Sequence, residues 1–315
     1  MPLMGSENEL LGALLMIEDI SSEKRMKSTM SRYMDADLAD QLLEGGSDDV
    51  LGGKESIGTV LFSDIRSFTT LTESLGAQGT VSFLNDYFTV MVDCIQEEGG
   101  MLDKFIGDAI MAIFGTPVAH DDDPDRGLRA AIKMMAGLNE FNVFRKSQGL
   151  SPVDHGMGLN TDQIVSGNIG SPKRMDYTVI GDGVNLAARV ESSCKKYGAH
   201  ILMSEYTFRA LKATYRTRQI DRVIVKGKTV PVGVYEVLDY HTKDSFPNMI
   251  EVLEMFNNGI EYYNEGKWND AIKQFKKAQK GNPEDKASNM YIERCDFLKK
   301  KNPKDWDGVW IATSK

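Results

Sequence analysis

Two aspartates, Asp64 and Asp108, stand where apolar segments end and have the chemistry to share a metal ion. Asp64 follows the apolar run 60–62 and Ser63, and Asp108 follows Gly107 between two further apolar runs. The second pattern predicts a hairpin. If that hairpin pairs beside the first strand, both carboxylates end at one edge of the same sheet. They would repel each other without a cation, and Mg²⁺ is normally held by one or two carboxylates together with substrate phosphates. The pair therefore predicts a metal–nucleotide site.

A second pair, Asn185 and Arg189, is spaced i, i+4 in a segment predicted to be helical, 181–197. This spacing places both side chains on the same face of the helix. A guanidinium can stabilise the extra charge of a phosphoryl transition state, and an amide can hydrogen-bond a ribose. An isolated pair of this kind usually forms a solvated helix face, so its interpretation depends on the surrounding sequence.

Three segments resemble, in order, the catalytic motifs of the class III nucleotidyl cyclases. They are Phe-Ser-Asp-Ile-Arg-Ser-Phe-Thr at 62–69, Lys-Phe-Ile-Gly-Asp at 104–108, and Thr-Val-Ile-Gly-Asp-Gly-Val-Asn-Leu-Ala-Ala-Arg at 178–189. The resemblance covers residues 58–238. It implies that ATP is converted to 3′,5′-cyclic AMP and pyrophosphate with two Mg²⁺ or Mn²⁺ ions. Two such ions, about 3.5–4 Å apart, would stabilise both the attacking 3′-oxygen and the phosphate oxygens.

The resemblance also assigns roles to individual residues. The metal ligands are Asp64, Asp108 and the backbone carbonyl of Ile65. The remaining residues contact the substrate: Arg189 at the transition-state phosphate, Asn185 at the ribose, Lys226 at the terminal phosphates, and Phe68 and Thr69 from the first motif.

Base choice is predicted from Lys104 and Thr178. Adenylyl cyclases of the family have Lys, and Asp or Thr, at these positions, whereas guanylyl cyclases have Glu and a small residue, often Cys. Adenine N1 accepts a hydrogen bond from an ammonium, and the adenine amino group donates one to a hydroxyl. Guanine presents the opposite pattern, and an unpaired buried donor is costly enough to decide selectivity. ATP is therefore the expected substrate. The alternatives are a guanylyl cyclase and a catalytically inactive interaction module.

In this family the aspartates and the Asn/Arg pair of one site come from different chains. All the motifs are present here, so the resemblance implies a homodimer with two complete sites. One departure is Asp162, which stands where the family usually has Gly. If the chain turns there with positive φ, Asp is tolerated less well than Gly, and we expect a cost in local stability.

The elements that position these residues alternate between strands and helices, and their order predicts an α+β fold. A ferredoxin-like βαββαβ sheet with helices on one face fits better than a doubly wound parallel fold, because the central hairpin requires antiparallel pairing. The predicted elements are a strand at 58–63, a helix at 78–98, a hairpin at 101–105 and 109–114, a helix at 124–148, strands near 154–160 and 163–168, a helix at 181–197, a strand at 200–203, a helix at 205–213, and a hairpin at 215–225 and 232–238.

The segment before this catalytic domain, which we place at 57–240, divides into two parts. The apolar run 10–17 predicts a strand that has no partner in the sequence, and it resembles the last strand of a PAS sensor domain, here residues 1–20. Residues 21–56 predict a signalling helix and a linker at 47–56. Met26, Met30 and Tyr33 recur at helical spacing, and this stripe either pairs with a second chain or packs on its own domain.

The segment 246–315 is helical in its apolar period and resembles a tetratricopeptide unit over about 34 residues, 252–285. One helical pair cannot bury its own apolar face. We therefore expect it to pack on the catalytic domain, on further helix or on a protein partner. The tryptophans of the tail, Trp306 and Trp310, are expected to pack back on this unit.

Composition excludes several classes of protein. The net charge is −9 and no long basic run occurs, which disfavours binding to nucleic acid or to an anionic membrane. No apolar run reaches the roughly 18 residues that a membrane span needs, and the start lacks the features of a signal peptide. The three cysteines are far apart, so they predict neither a disulfide framework nor a zinc site. These features predict a cytoplasmic protein.

Overall fold

The computed structural model describes residues 2–4, 10–13, 52–223, 231–303 and 305–310. The chain divides into two compact units, residues 1–48 and 49–315. In the first unit, strand β1 (Pro2–Met4) pairs antiparallel with β2 (Leu10–Ala13). The predicted strand is thus confirmed over 10–13. The expectation that it has no partner is wrong, because the short segment 2–4 supplies one. The Met26 stripe lies outside the described residues.

The second unit is built on the predicted βαββαβ core. Its antiparallel strands stand in the order β4, β5, β3, β6, which is the ferredoxin-like arrangement. The fold class is confirmed. The elements are β3 (Gly52–Ile65), α1 (Phe68–Glu97), β4 (Met101–Ile106), β5 (Ala109–Phe114), α2 (Asp123–Ser147) and β6 (His155–Ser171).

Further elements extend the sheet beyond β6. Strand β8 lies parallel to β6, and β10 and β9 follow it in antiparallel pairs, while β7 pairs with the second half of β6. The predicted closing hairpin is confirmed. The elements are β7 (Arg174–Ile180), α3 (Asp182–Tyr197), β8 (Ile201–Ser204), α4 (Glu205–Ala210), β9 (Thr217–Val223) and β10 (Val232–Val237).

The long pairing of β3 with β6 corrects two expectations. These strands pair without interruption from Gly52 opposite Asn168 to Ile65 opposite His155. The segment 154–168 is therefore one strand, and Asp162 lies in it opposite Gly58 rather than in a turn of positive φ. The expected strain at Asp162 does not arise. Residues 52–56 are strand and not linker, because this pairing satisfies the backbone groups of a polar segment.

Two more elements differ from prediction. Helix α1 begins at Phe68, ten residues earlier than predicted, because the chain continues as helix across a kink at Gly76, where φ is 65°. Strand β7, which carries Thr178, was not predicted. Its sequence Arg-Met-Asp-Tyr-Thr-Val-Ile lacks a clear apolar run at its start, and it forms by pairing with the far end of β6.

Helices cover both faces of the sheet, but the two helices of the βαββαβ core lie on one face, as predicted. These two helices, α1 and α2, pack around Tyr87, Met91 and Leu128. Helix α3 packs on the opposite face and approaches β6 at Gly158. A Cβ built on Gly158 would lie 2.1 Å from the backbone nitrogen of Glu191, so only glycine permits this contact. The site residues on α3 are thereby held against the sheet.

The C-terminal helices α5 (Met249–Asn264), α6 (Trp268–Gly281) and α7 (Lys286–Lys301) pack on β8–β10 and α3. Buried Phe256 and Phe275 share one core with Ile220 of β9. The guanidinium of Arg218 joins this unit to the sheet, lying 2.6 Å from Glu236 and 2.7 Å from Asp285. Of the three expected arrangements, two are observed: the unit packs on the catalytic domain and on the further helix α7, where Phe275 stacks on Tyr291.

The tail also packs as predicted, since Trp306 Nε1 donates to the Tyr263 carbonyl at 2.9 Å. Among the described helices, none combines the length and the apolar composition that crossing a membrane requires.

Candidate active site

The rim formed by the ends of β3 and of the β4–β5 hairpin brings the two predicted aspartates together. β3 pairs with β5 up to Ser63 opposite Ile110, so Asp64 and Asp108 follow at the same edge. The Asp64 carboxyl lies within hydrogen-bond reach of Asp108, and the backbone N–H of Ile65 donates to Asp108. The two aspartates and the backbone of Ile65 therefore lie close together at this edge of the sheet.

The electrostatics of this rim favour a cation. Burial, followed by the adjacent Asp64, raises the pKa of Asp108 to about 6. Two carboxylates in contact raise a pKa in this way because both cannot be ionised without repulsion. The described residues contain no cluster of three or more His, Cys, Asp or Glu side chains suited to a metal. Two aspartates and a backbone carbonyl fit Mg²⁺ that keeps substrate phosphates as its other ligands.

A buried chain of polar contacts, formed by Tyr87, His155 and Met135, lies next to the end of β3. The Tyr87 hydroxyl lies 2.8 Å from Nδ1 of His155, whose Nε2 lies 3.2 Å from Met135 Sδ. Complete burial lowers the pKa of His155 to about 3, so this histidine is neutral at physiological pH. His155 pairs with Ile65 across the sheet. Its role is structural, because its ring faces the core and not the rim.

The two residues predicted to recognise the base also come together. Lys104 lies on β4 and Thr178 on β7, and both neighbour the carboxylate of Asp103. Lys104 Nζ is 3.4 Å from Asp103 Oδ2, and the lysine side chain remains 40% exposed. Thr178 is buried. The Lys104 ammonium is therefore accessible to a ligand, while the buried Asp103 carboxylate attracts it from the protein side.

Asn185 and Arg189 lie on the exposed side of α3, one turn apart as predicted. The Asn185 amide is near the Gly181 carbonyl at 3.4 Å. No contact joins either residue to Asp64 or Asp108 within the described part of the chain. One chain thus presents the carboxylates and the Asn/Arg pair as separate groups.

The remaining predicted residues fall at the start of α1 and in a loop. Phe68 and Thr69 are the first residues of α1, directly after Ser67, whose φ is 57°. This turn brings a helix N-terminus, with its unpaired N–H groups, just beyond the predicted metal ligands. Lys226 lies outside the described residues.

Sequence reasoning missed two carboxylates near these groups. Asp103 forms an ion pair with Lys104, and its sequence signal was an acid beside a lysine in a strand whose other residues are apolar. Glu191 lies on the side of α3 that faces the sheet. Burial, and then the charge of Asp64, raises its pKa to about 7. No sequence signal identified Glu191, because its position depends on the close packing of α3 against Gly156 and Gly158.

Several known proteins are similar to this chain in sequence. A terminal-differentiation specific adenylate cyclase from Dictyostelium discoideum is 34% identical over 281 residues, which are 86% of this chain and 13% of that relative. The chain spans less than half the length of this relative and of an adenylate cyclase from Anabaena cylindrica, to which it is 36% identical over 75% of its own length.

Two solved structures have similar sequence identity to this chain, and one is named an adenylyl cyclase and the other a guanylyl cyclase. The adenylyl cyclase CyaB from P. aeruginosa is 36% identical with a TM-score of 0.56, over 60% of this chain and 97% of that one. The guanylyl cyclase Cya2 is 38% identical with a TM-score of 0.54, over 59% of this chain and 94% of that one. The sequence profile of the adenylate and guanylate cyclase catalytic domain matches residues 53–239, more than half of the chain. This chain therefore belongs to the family of adenylate and guanylate cyclase catalytic domains.

Proposed function

We propose that this chain is an adenylyl cyclase that converts ATP to 3′,5′-cyclic AMP and pyrophosphate. The observation that carries the proposal is the contact between the carboxyls of Asp64 and Asp108 at the rim of the sheet. Two adjacent carboxyl groups, of which Asp108 has a raised pKa, are typical of a functional site rather than of a structural ion pair. The named adenylate cyclases among the relatives support the same reaction.

The reaction requires a stabilised 3′-alkoxide, neutralised phosphate charge and in-line geometry. Bound Mg²⁺ or Mn²⁺ would supply the charge stabilisation. Asp64, Asp108 and the Ile65 carbonyl would hold the ions at the rim. The N–H groups of Phe68 and Thr69, at the start of α1, favour anionic phosphate oxygens. Lys226 neutralises the terminal phosphates, and the guanidinium of Arg189 hydrogen-bonds the phosphate as its charge increases.

We propose ATP rather than GTP because of the base site and not because of overall similarity. The adenylyl and guanylyl cyclases of known structure are 36% and 38% identical to this chain, so overall identity does not decide between the bases. Lys104 can donate to adenine N1, and Thr178 can accept from the adenine amino group. Guanine would place a donor opposite Lys104.

The site is proposed to form between two copies of this chain. Asn185 and Arg189 are exposed and do not contact the aspartates of their own chain within the described residues. A homodimer with two-fold symmetry would bring the Asn/Arg pair of one copy to the aspartates of the other, twice. Exposed apolar side chains near the base site, Phe105, Ile106 and Ile180, are suited to such a contact.

Mixing two inactive variants tests the shared site. Asp64→Ala lacks a metal ligand and Arg189→Ala lacks the phosphate contact, so each homodimer is nearly inactive. Random re-pairing of equal amounts makes half of the dimers mixed, and each mixed dimer has one intact site. Activity should recover to about a quarter of that of the parent protein. No recovery despite demonstrated subunit exchange would place each site within one chain.

The flanking segments are proposed to regulate this activity. Residues 22–43 would relay a signal from a PAS-like sensor by changing how two chains pair, and the tetratricopeptide-like unit would bind a protein partner. Placing Asp at Met30 should weaken dimerisation or change the basal rate. If sedimentation and assay both remain unchanged, Met30 only packs on its own domain.

The proposed reaction is tested by supplying the purified protein with ATP or GTP, each with Mg²⁺ and with Mn²⁺. We expect cyclic AMP from ATP and little cyclic GMP. Cyclic GMP as the main product would identify a guanylyl cyclase. No product with either nucleotide, in protein shown to be dimeric, would favour an inactive interaction module.

A further inference from the structure

The carboxylate of Asp103, like that of Glu191, is a buried acid to which the proposed reaction gives no task. Its side chain has no exposed surface, and it lies beside the Thr178 hydroxyl and 3.4 Å from the Lys104 ammonium. Burying a carboxylate removes the hydration that stabilises its charge, and a single ion pair offsets only part of this cost. The retention of Asp103 therefore points to a role other than stability.

The position of Asp103 depends on a β-bulge. Leu102 pairs with Ala112 and Lys104 pairs with Met111, so Asp103 has no residue opposite it on β5. On a regular strand neighbouring side chains point to opposite faces. The bulge changes this direction and brings the Asp103 carboxylate to 3.4 Å from the ammonium of Lys104. Bulges beside active sites redirect side chains in this manner.

The groups around Asp103 are those proposed to recognise adenine. The Thr178 hydroxyl lies close enough to lower the pKa of Asp103, and so does Lys104, although burial outweighs both and the pKa remains raised. Asp176 contributes an unfavourable charge from the exposed side of β7. The carboxylate thus lies directly behind the ammonium and the hydroxyl.

We infer that Asp103 is a specificity-determining positioning residue that makes Thr178 a hydrogen-bond acceptor toward the base. This inference rests on the proposed roles of Lys104 and Thr178. An ionised carboxylate can only accept, so the Thr178 hydroxyl donates its one proton to Asp103. The lone pairs of Thr178 then face the base and accept from the adenine amino group. Guanine presents a carbonyl oxygen there, and Thr178 has no proton left to donate.

Asp103 has a second effect through Lys104. The ammonium has three donors, and attraction to Asp103 holds it while a further N–H is directed to adenine N1. The same ammonium faces the N1–H of guanine, where two donors meet. The carboxylate therefore fixes both hydrogen-bond directions of the base site without touching the nucleotide.

The test compares Asp103→Asn with Asp176→Asn, which removes a neighbouring exposed charge as a matched control. An amide at 103 can donate, so Thr178 is free to donate to guanine. We expect the ratio of kcat/KM for ATP over GTP to fall at least about tenfold in Asp103→Asn, as loss of a directed hydrogen bond predicts. Asp176→Asn should keep the ratio of the parent. Equal loss of both activities in Asp103→Asn, or an unchanged ratio, would overturn the inference.

Two further variants test whether the effect of Asp103 passes through Thr178. In a Thr178→Val background, Asp103→Asn should change the ratio little, because the hydroxyl that Asp103 orients is missing. If Asp103→Asn does not fold, Asp103→Leu, which replaces the buried carboxylate by an apolar group of similar size, gives a second measurement. It should also lose preference for ATP.

Equilibrium binding of ATP and GTP that lack the 3′-hydroxyl separates this inference from the proposed reaction. These nucleotides cannot cyclise, so base preference is measured without turnover. If the parent protein makes no cyclic AMP but prefers the adenine nucleotide through Asp103, the proposed reaction fails and the inference stands. If the parent is active and Asp103→Asn binds both nucleotides with the parental preference, the inference alone fails.

Discussion

Strand β4 and the turn after it carry two carboxylates, Asp103 and Asp108, in opposite electrostatic settings. Burial raises the pKa of both. The neighbours of Asp103, Thr178 and Lys104, favour its ionised form, whereas the neighbour of Asp108 is another carboxyl, Asp64, which disfavours it. The Asp103 charge is compensated within the chain. The Asp108 charge has no such compensation from Asp64, and this difference separates the proposed base site from the proposed metal site.

Each setting depends on a local irregularity of the backbone. Asp103 occupies a bulge, and Asp108 follows Gly107, whose φ of 66° permits the tight turn between β4 and β5. Glycine adopts this conformation without the steric cost that other residues incur. A regular hairpin would place neither carboxylate beside its present partner.

Removing either rim carboxylate should give the largest effect. Asp64→Asn or Asp108→Asn should lower kcat by at least about 10³ with the fold retained, because charge stabilisation by the metal is lost. Circular dichroism and an assay for cyclic AMP measure the two quantities. The matched control is Asp121→Asn, which removes an exposed carboxylate in the loop before α2 and should keep the parental rate. Substantial activity in either rim variant would end the metal assignment.

Changing the base site should redirect the enzyme rather than inactivate it. Lys104→Glu combined with Thr178→Cys should shift preference from ATP toward GTP, because glutamate accepts from guanine N1–H. Competing ATP and GTP in one assay gives the ratio of products. A double variant that prefers ATP as strongly as the parent would show that the base is chosen elsewhere.

The smallest expected effect is the pH dependence of stability without metal. An acid whose pKa rises on folding binds more protons in the folded state than in the unfolded state. Its contribution to the free energy of unfolding is therefore lost as the pH rises through its pKa in the folded state. For Asp108 the window runs from about 4, the usual value, to about 6. In EDTA, Asp108→Asn should lose less thermal stability than the parent between pH 4 and pH 7. Equal losses would mean that Asp64 and Asp108 do not interact.

Glu191 on α3 is a second buried acid that should make stability depend on pH. Burial and the Asp64 charge raise its pKa to about 7. The Glu191 carboxyl should therefore also lower stability as the pH rises, over a pH range that ends about one unit above that of Asp108. Glu191→Gln removes this contribution and is the necessary comparison in the pH experiment.

The sequence predicted the βαββαβ core and the meeting of Asp64 with Asp108, because short apolar strands and a Gly-Asp turn are local signals. It did not predict β7 or the continuous β6, since both depend on pairing over a distance that no local pattern encodes. Asp103 was missed for a related reason. A bulge is set by the register between two strands, and the sequence of β4 alone shows only an acid beside a lysine.

The most direct test of the difference between the two sites measures metal binding and base preference in the same pair of variants. Mn²⁺ binding is followed by the rise in thermal midpoint that a ligand of the folded state produces. Base preference is followed with ATP and GTP that lack the 3′-hydroxyl. Asp108→Asn should lose the Mn²⁺ response and keep its preference for adenine, whereas Asp103→Asn should keep the Mn²⁺ response and lose that preference. Loss of both properties in either variant would contradict two separate sites.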